Sequence, residues 1–151
     1  MRALSLFFVL LVLSPFALAA TPADGERLLA RYAEALNRKD ADTIAALLAP
    51  GTRVSVRWLD ASPPKQFTLD AANYVQQLRA LWKFSRQDRH RFGRVAWEQN
   101  EDGQWQATFT HQETRQLQGQ DSGQDSEVRV LLAPRAEGLR IVHIRTDTRL
   151  W

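Results

Sequence analysis

The sequence has 151 residues, a formal net charge of +3 at pH 7, three histidines and no cysteine. So small a charge does not indicate a nucleic-acid-binding protein, and without disulfides the core must be stabilised by packing, which a single domain of this length can achieve. With no cysteine and few histidines, we expect no metal site and no cofactor.

The first residues have the features of a secretory signal peptide. Arg2 provides the positive start, residues 4–13 are apolar, and Ala17 and Ala19 supply small side chains at a cleavage site. The apolar run is shorter than the roughly 18 residues that a membrane-spanning helix needs. We therefore predict a signal peptide over residues 1–19 and one domain over residues 20–151. The mature protein is expected to be soluble, periplasmic or secreted, and not inserted in a membrane.

Two helices are predicted at the start of the mature chain. The first begins at a capping box formed by Thr21 and Asp24, and it ends near Lys39. The second is short, begins after Asp40 and is stopped by Pro50. Apolar residues recur at intervals of three and four in the first helix, which indicates one buried face.

The next segments change from helical to strand periodicity and back. Residues 52–59 alternate polar and apolar side chains, which predicts a strand with one buried face. Residues 60–67 are predicted to form a proline-rich loop. A third helix is expected over residues 69–82, capped by Thr68 or Asp70.

The last part of the chain is predicted to be an antiparallel sheet. Residues 83–94 are strongly basic and are interpreted as a solvated joint and strand edge. Four strand-like runs follow, and the polar residues 116–126 are interpreted as a mobile loop. Three helices and about five strands give an α+β domain.

Two stretches of the chain resemble the nuclear transport factor 2-like superfamily, which includes ketosteroid isomerases and polyketide cyclases. They are residues 30–56, ARYAEALNRKDADTIAALLAPGTRVSV, and residues 138–147, GLRIVHIRTD. The resemblance implies a cone-shaped fold in which three N-terminal helices pack on a curved antiparallel sheet and close a pocket. It does not imply one reaction, because one fold supports many activities.

The resemblance also allows a comparison with the isomerases, residue by residue. Tyr32 matches their phenol on the first helix, and Glu127 is the nearest candidate for their second oxyanion donor. Their carboxylate base on the first strand corresponds here to Val56, whose side chain cannot accept a proton. Steroid isomerisation is therefore excluded. The pocket residues expected from the resemblance and the strand alternation are Tyr32, Val56, Trp58, Tyr74, Leu78, Phe109, His111 and Glu127.

His111 and Glu113 are the best acid–base candidates in the sequence. His111 continues the apolar alternation of its strand, and Glu113 follows on the same face, so a carboxylate could act on the imidazole. His143 lies on the last strand, and the sequence leaves open which face of that strand is concave. An apolar face formed by Val142 and Ile144 would turn His143 outward.

Two classes of function remain open. The favoured hypothesis is a non-catalytic exported domain that binds a small apolar ligand, a cell-envelope component or a protein partner. The alternative is a small isomerase-like or cyclase-like enzyme that uses His111 with Glu113, or Tyr32 with Glu127. A homodimer formed through the sheet is also possible, with Arg53, Arg57 and Arg129 facing acidic partners.

Overall fold

The computed structural model describes residues 19–151, so the predicted signal peptide lies outside the described residues except for Ala19. The helices are α1 (Pro22–Arg38), α2 (Ala41–Leu47) and α3 (Ala71–Phe84). The strands are β1 (Leu48–Trp58), β2 (Lys65–Asp70), β3 (Ser85–Phe92), β4 (Ala96–Gln99), β5 (Trp105–Leu117), β6 (Gln120–Arg135) and β7 (Gly138–Leu150). No helix in residues 19–151 is long and apolar enough to span a membrane.

Local side-chain chemistry sets the helix starts, as predicted, but the predicted stop at Pro50 is wrong, because α2 ends at Leu47 and Pro50 lies in β1. The Thr21 hydroxyl accepts from the backbone N–H of Asp24, whose carboxylate accepts from the backbone N–H of Thr21, and this completes the predicted capping box. Lys39 ends α1 in the left-handed conformation. Asp40 and Asp70 cap α2 and α3.

Seven strands form one curved sheet, with β2, β1, β7, β6, β5 and β3 in that order and β4 paired to β5. The expected α+β fold is confirmed, but the expectation of about five antiparallel strands is wrong in two respects. The last strand lies between β1 and β6 and runs parallel to β1, so the sheet is mixed. The proline-rich and basic segments also contribute strands, β2 and β3.

The expected mobile loop over residues 116–126 is instead the end of a long hairpin. β5 and β6 remain paired up to Leu117 and Gln120. The turn residues Gln118 and Gly119 both have positive φ, which matches the twist of a two-residue hairpin. Polar composition alone did not reveal this pairing.

The helices cover one face of the sheet, which we call the inner face. Val54, Phe109, Val128 and Ile144 point to it and are buried with apolar residues of α1 and α2. The other, outer face carries mainly polar and charged side chains of β1, β6 and β7. A register shift opposite Leu131 and Leu132 interrupts the alternation of β7.

Candidate active site

A cavity of about 320 Å³ lies between the helices and the inner face. Its walls are mostly aromatic and aliphatic. The Phe92 ring lies 4.6 Å from that of Phe109 and 5.9 Å from that of Tyr32, measured between centroids. Trp58, which keeps 37% of its surface exposed, also lines the cavity. Apolar walls with a few polar groups are typical of small-molecule sites.

Most of the predicted pocket residues line this cavity. They are Tyr32, Val56, Trp58, Tyr74, Leu78, Phe109 and His111. Glu113, the predicted partner of His111, lines it too.

The expected position of Glu127 in the pocket is wrong. Its neighbour Val128 points to the inner face, so strand alternation turns Glu127 to the outer face, where it is exposed and accepts from Arg129 at 3.1 Å. An acid–base pair of Tyr32 with Glu127 is therefore excluded.

Two phenols meet inside the cavity. The hydroxyls of Tyr32 on α1 and Tyr74 on α3 are hydrogen-bonded to each other. Burial raises the pKa of Tyr74 to about 12 and the pKa of Tyr32 well above its ordinary value. Both phenols therefore stay protonated at neutral pH. Because their mutual bond uses one hydroxyl hydrogen, the second remains available to a ligand.

An imidazole–carboxylate cluster, formed by His90, His111 and Glu113, lines the same cavity. His90 Nδ1 lies 3.0 Å from His111 Nε2, and His90 Nε2 lies 3.9 Å from Glu113 Oε1. The antiparallel register of β3 and β5 brings these residues together, since His90 is paired with Glu113. Phe92 contacts His111 edge-on, with 4.9 Å between ring centroids.

Polar neighbours fix the cluster in place. Arg115 forms an ion pair with Glu113, and the Gln124 amide donates to the same carboxylate at 2.7 Å. Asn37, near the end of α1, holds the backbone of His90. Its side-chain oxygen accepts from the His90 N–H at 2.8 Å, and its amide donates to the His90 carbonyl at 3.1 Å.

Burial sets the protonation states of the cluster. It lowers the pKa of His90 to about 4 and that of His111 to about 3, with Arg115 adding to both shifts. Burial raises the pKa of Glu113, although the Arg115 charge opposes this. The imidazoles are therefore neutral at pH 7, and a proton entering the cluster is held more strongly by Glu113 than by either histidine.

A second ion pair, in which only the carboxylate is buried, lies beside the cluster. Lys39 contacts the carboxylate of Asp88, whose side chain is only 1% exposed, and the Ser85 hydroxyl donates to it at 2.7 Å. Asp88 Oδ1, His90 Nε2 and Arg115 Nε are buried and have no hydrogen-bond partner within residues 19–151. Polar hydrogen-bonding capacity therefore remains unused around His90.

The cluster also has the donor types of a metal site. One ligand atom from each of His90, His111 and Glu113 lies within 4.8 Å of the others. However, Arg115 contacts the same carboxylate, and its charge opposes a divalent cation at that position. The contacts therefore favour proton transfer over metal binding.

His90 was missed in the sequence, where the basic segment was interpreted as solvated. The signal was present in the alternation of that segment. Arg89 and Arg91 are the solvent-side members, while His90 and Phe92 both line the cavity. His143 lies on the outer face, where its Nε2 is 3.3 Å from Ser55 Oγ.

Comparisons with known proteins show the fold of the chain. No protein-family model matches the sequence, and no curated protein matches it.

Three solved structures illustrate the likeness in fold. The first is a "Putative Scytalone Dehydratase" from Novosphingobium aromaticivorans, with a TM-score of 0.70, 14% identity, and coverage of 84% of this chain and 83% of that one. The second is ActVI-ORFA from Streptomyces coelicolor, with a TM-score of 0.64, 18% identity, and coverage of 84% and 96%. The third, from N. aromaticivorans, is an NTF2-like protein with a cystatin-like fold, with a TM-score of 0.64, 17% identity, and coverage of 83% and 80%. The chain thus has the nuclear transport factor 2-like, cystatin-like fold that its sequence resembles.

Proposed function

We propose that this protein is an acid–base enzyme that removes a proton from a small, mostly apolar ligand carrying a carbonyl oxygen. The observation that carries the proposal is the buried imidazole–carboxylate cluster, which lines the same cavity as the Tyr32–Tyr74 phenol pair. Proton acceptors and hydroxyl donors in one aromatic-walled cavity are the groups that proton abstraction next to a carbonyl requires.

His111 acts as the first proton acceptor. Its imidazole is neutral at pH 7, so one ring nitrogen has a lone pair that can accept a proton, although burial lowers its pKa to about 3 and makes it a weak base that must pass the proton on. Its Nε2 faces His90 Nδ1 at 3.0 Å. The proton taken up by His111 can therefore pass to His90.

Glu113 is the group that retains the proton. Its pKa is raised while those of the imidazoles are lowered, so transfer through His90 to this carboxylate is downhill. The separation of 3.9 Å between His90 Nε2 and Glu113 Oε1 exceeds a hydrogen bond, so the rings must approach or a water must bridge this step.

The phenol pair binds the ligand oxygen. Both hydroxyls remain protonated, and one hydrogen is free to donate to a carbonyl oxygen as negative charge develops there. The imidazole that accepts the proton and the phenol that donates to the carbonyl oxygen then act on the same ligand.

We propose dehydration of a β-hydroxy ketone as the first reaction to test. The cluster returns the proton that it takes from carbon to the departing hydroxyl, which leaves as water, so the reaction needs no further reactant and restores the cluster. The neighbour described as a scytalone dehydratase supports this choice. The cavity volume of about 320 Å³ suits a substrate of one or two rings.

This proposal reverses the preference drawn from the sequence. A non-catalytic domain was favoured because Val56 replaces the isomerase base on the first strand. In the structure Val56 lines the cavity, but β3 and β5 supply other proton acceptors. Ligand binding without turnover thus becomes the alternative outcome of the test.

The test combines binding and turnover for a panel of β-hydroxy ketones with one or two rings. Binding is measured as the rise in melting temperature, and turnover as the ultraviolet absorbance of the conjugated product. We expect His111→Gln to keep ligand binding but to reduce turnover by about 100-fold or more. His143→Gln, on the outer face, is the matched control and should retain full activity.

Two results would contradict the proposal. Ligands that raise the melting temperature without being converted would identify a binding domain. Undiminished turnover by His111→Gln would remove the imidazole from the mechanism.

A further inference from the structure

We propose that the outer face of the sheet contains a binding site for a divalent oxyanion, such as a phosphate group. The site is a groove of about 390 Å³ on β1, β6 and β7, with Gln66 of β2 at its side. It lies on the opposite face of the sheet from the inner cavity, although Val56 and Thr146 line both, and it does not depend on the proposed reaction. Its charged and polar lining residues are Ser55, Arg57, Gln66, Arg129, Arg145, Thr146 and Asp147.

The groove carries excess positive charge. Arg57 donates to Asp147 through Nε at 2.9 Å and through a terminal nitrogen at 2.6 Å, and Arg129 pairs with Glu127 at 3.1 Å. These contacts neutralise two guanidinium groups. Arg145 forms no ion pair within the described part of the chain. It therefore leaves an uncompensated positive charge in the groove, whereas the neighbouring Arg53, which also forms no ion pair there, is directly opposite Asp70 of β2.

The strand register places like charges side by side. Arg129 on β6 is directly opposite Arg145 on β7, and Glu127 is directly opposite Asp147. Like charges at directly opposed positions destabilise a sheet. A bound dianion would relieve the arginine repulsion, and guanidinium groups match the geometry of phosphate oxygens.

The positive charges of the groove also act on His143. Burial lowers its pKa first, and the charges of Arg145 and Arg53 lower it further. Ser55 is its hydrogen-bonding neighbour, with a separation of 3.3 Å. An anion beside Arg145 would offset these charges, so its binding should raise the pKa of His143.

A second copy of this chain fits the groove less well than an anion does. The residues that line the groove include three arginines, Arg57, Arg129 and Arg145, against one carboxylate, Asp147. Two copies packed face to face would bring these positive excesses together. A dianion instead balances the charge of a single groove.

The experiment titrates the protein with inorganic sulfate, which keeps two negative charges over the pH range in which a histidine titrates, at constant ionic strength. Heat of binding gives the affinity, and the ring resonances of His143 give its pKa. We expect saturable binding, a raised His143 pKa, and about tenfold weaker binding for Arg145→Gln, the loss typical of one charge-assisted contact. Arg38→Gln is the matched control, because Arg38 is an exposed arginine on α1 paired with Glu34.

Several results would overturn the proposal. Non-saturable binding, or equal losses in Arg145→Gln and Arg38→Gln, would show only general attraction to a basic protein. A third such result would come from light scattering. A dimer that dissociates in the Arg145→Glu variant would show that this face is an interface between copies of the chain.

Discussion

Acid should unfold this protein through the two buried imidazoles. His90 and His111 have an ordinary pKa of 6.5, which falls to about 4 and about 3 in the folded protein. Between these values and 6.5, the unfolded chain binds more protons than the folded one. The free energy of unfolding therefore falls as the pH drops below 6.5.

The size of the effect follows from the two shifts. At pH 5 each histidine is mostly protonated in the unfolded chain and mostly neutral in the folded protein, which lowers the free energy of unfolding by about 2 kcal/mol per residue. The two together give about 4 kcal/mol, a large fraction of the roughly 5–15 kcal/mol that stabilises a typical domain. Glu113 acts in the opposite direction, because its pKa is raised by burial. The pH dependence of unfolding should therefore be compared between wild type and a histidine variant, because the Glu113 contribution is present in both.

Urea unfolding at pH 7.5 and pH 5 measures this difference. We expect the free energy of unfolding of His111→Gln to fall by about 2 kcal/mol less than that of wild type between the two pH values, since one buried titrating group is gone. His143→Gln is the control, because this side chain is only partly buried on the outer face, and its loss should change the pH dependence far less. Equal pH dependence in wild type and His111→Gln would refute the reasoning.

Three further changes test contacts in the interior of the protein, two of them in or beside the site. Tyr74→Phe leaves the buried hydroxyl of Tyr32 without its partner and should lower the free energy of unfolding, measured in urea, by about 1–3 kcal/mol. The double variant Tyr32→Phe/Tyr74→Phe should lose less stability than the two single variants added together. Lys39→Met leaves the buried carboxylate of Asp88 without its positive partner and should lower the free energy of unfolding by about 3–5 kcal/mol. The double variant Lys39→Met/Asp88→Asn removes this carboxylate and should recover part of the loss. If it recovers nothing, the pairing is contradicted. Gly25→Ala places a methyl group against a tryptophan ring and should lower the melting temperature, corresponding to about 1–3 kcal/mol; an unchanged melting temperature would show that the ring moves freely.

Local signals predicted the helices well because their causes lie within a few residues. Thr21, Asp40 and Asp70 cap helices through their own side chains, and short-range chemistry of this kind is readable in the sequence. The alternation around Val128 and Val130 could also have excluded Glu127 from the pocket. That error came from placing Glu127 by loose alignment with the isomerases instead of by strand period.

The remaining features depend on contacts between distant segments. β2 and β3 are sheet-edge strands, and their pairing partners are not encoded nearby. His90 becomes part of the site only because β3 pairs with β5 and α1 packs beside it. A single histidine among arginines carries little signal until that pairing is known.

The two hydrogen bonds from Asn37 to the His90 backbone have a consequence for association. β3 is the last strand of the sheet, and an edge strand normally offers free N–H and C=O groups to another chain. The Asn37 amide occupies both groups of His90, as an added strand would. One side chain therefore holds a histidine of the proposed site in place and also blocks strand addition at that point of the edge.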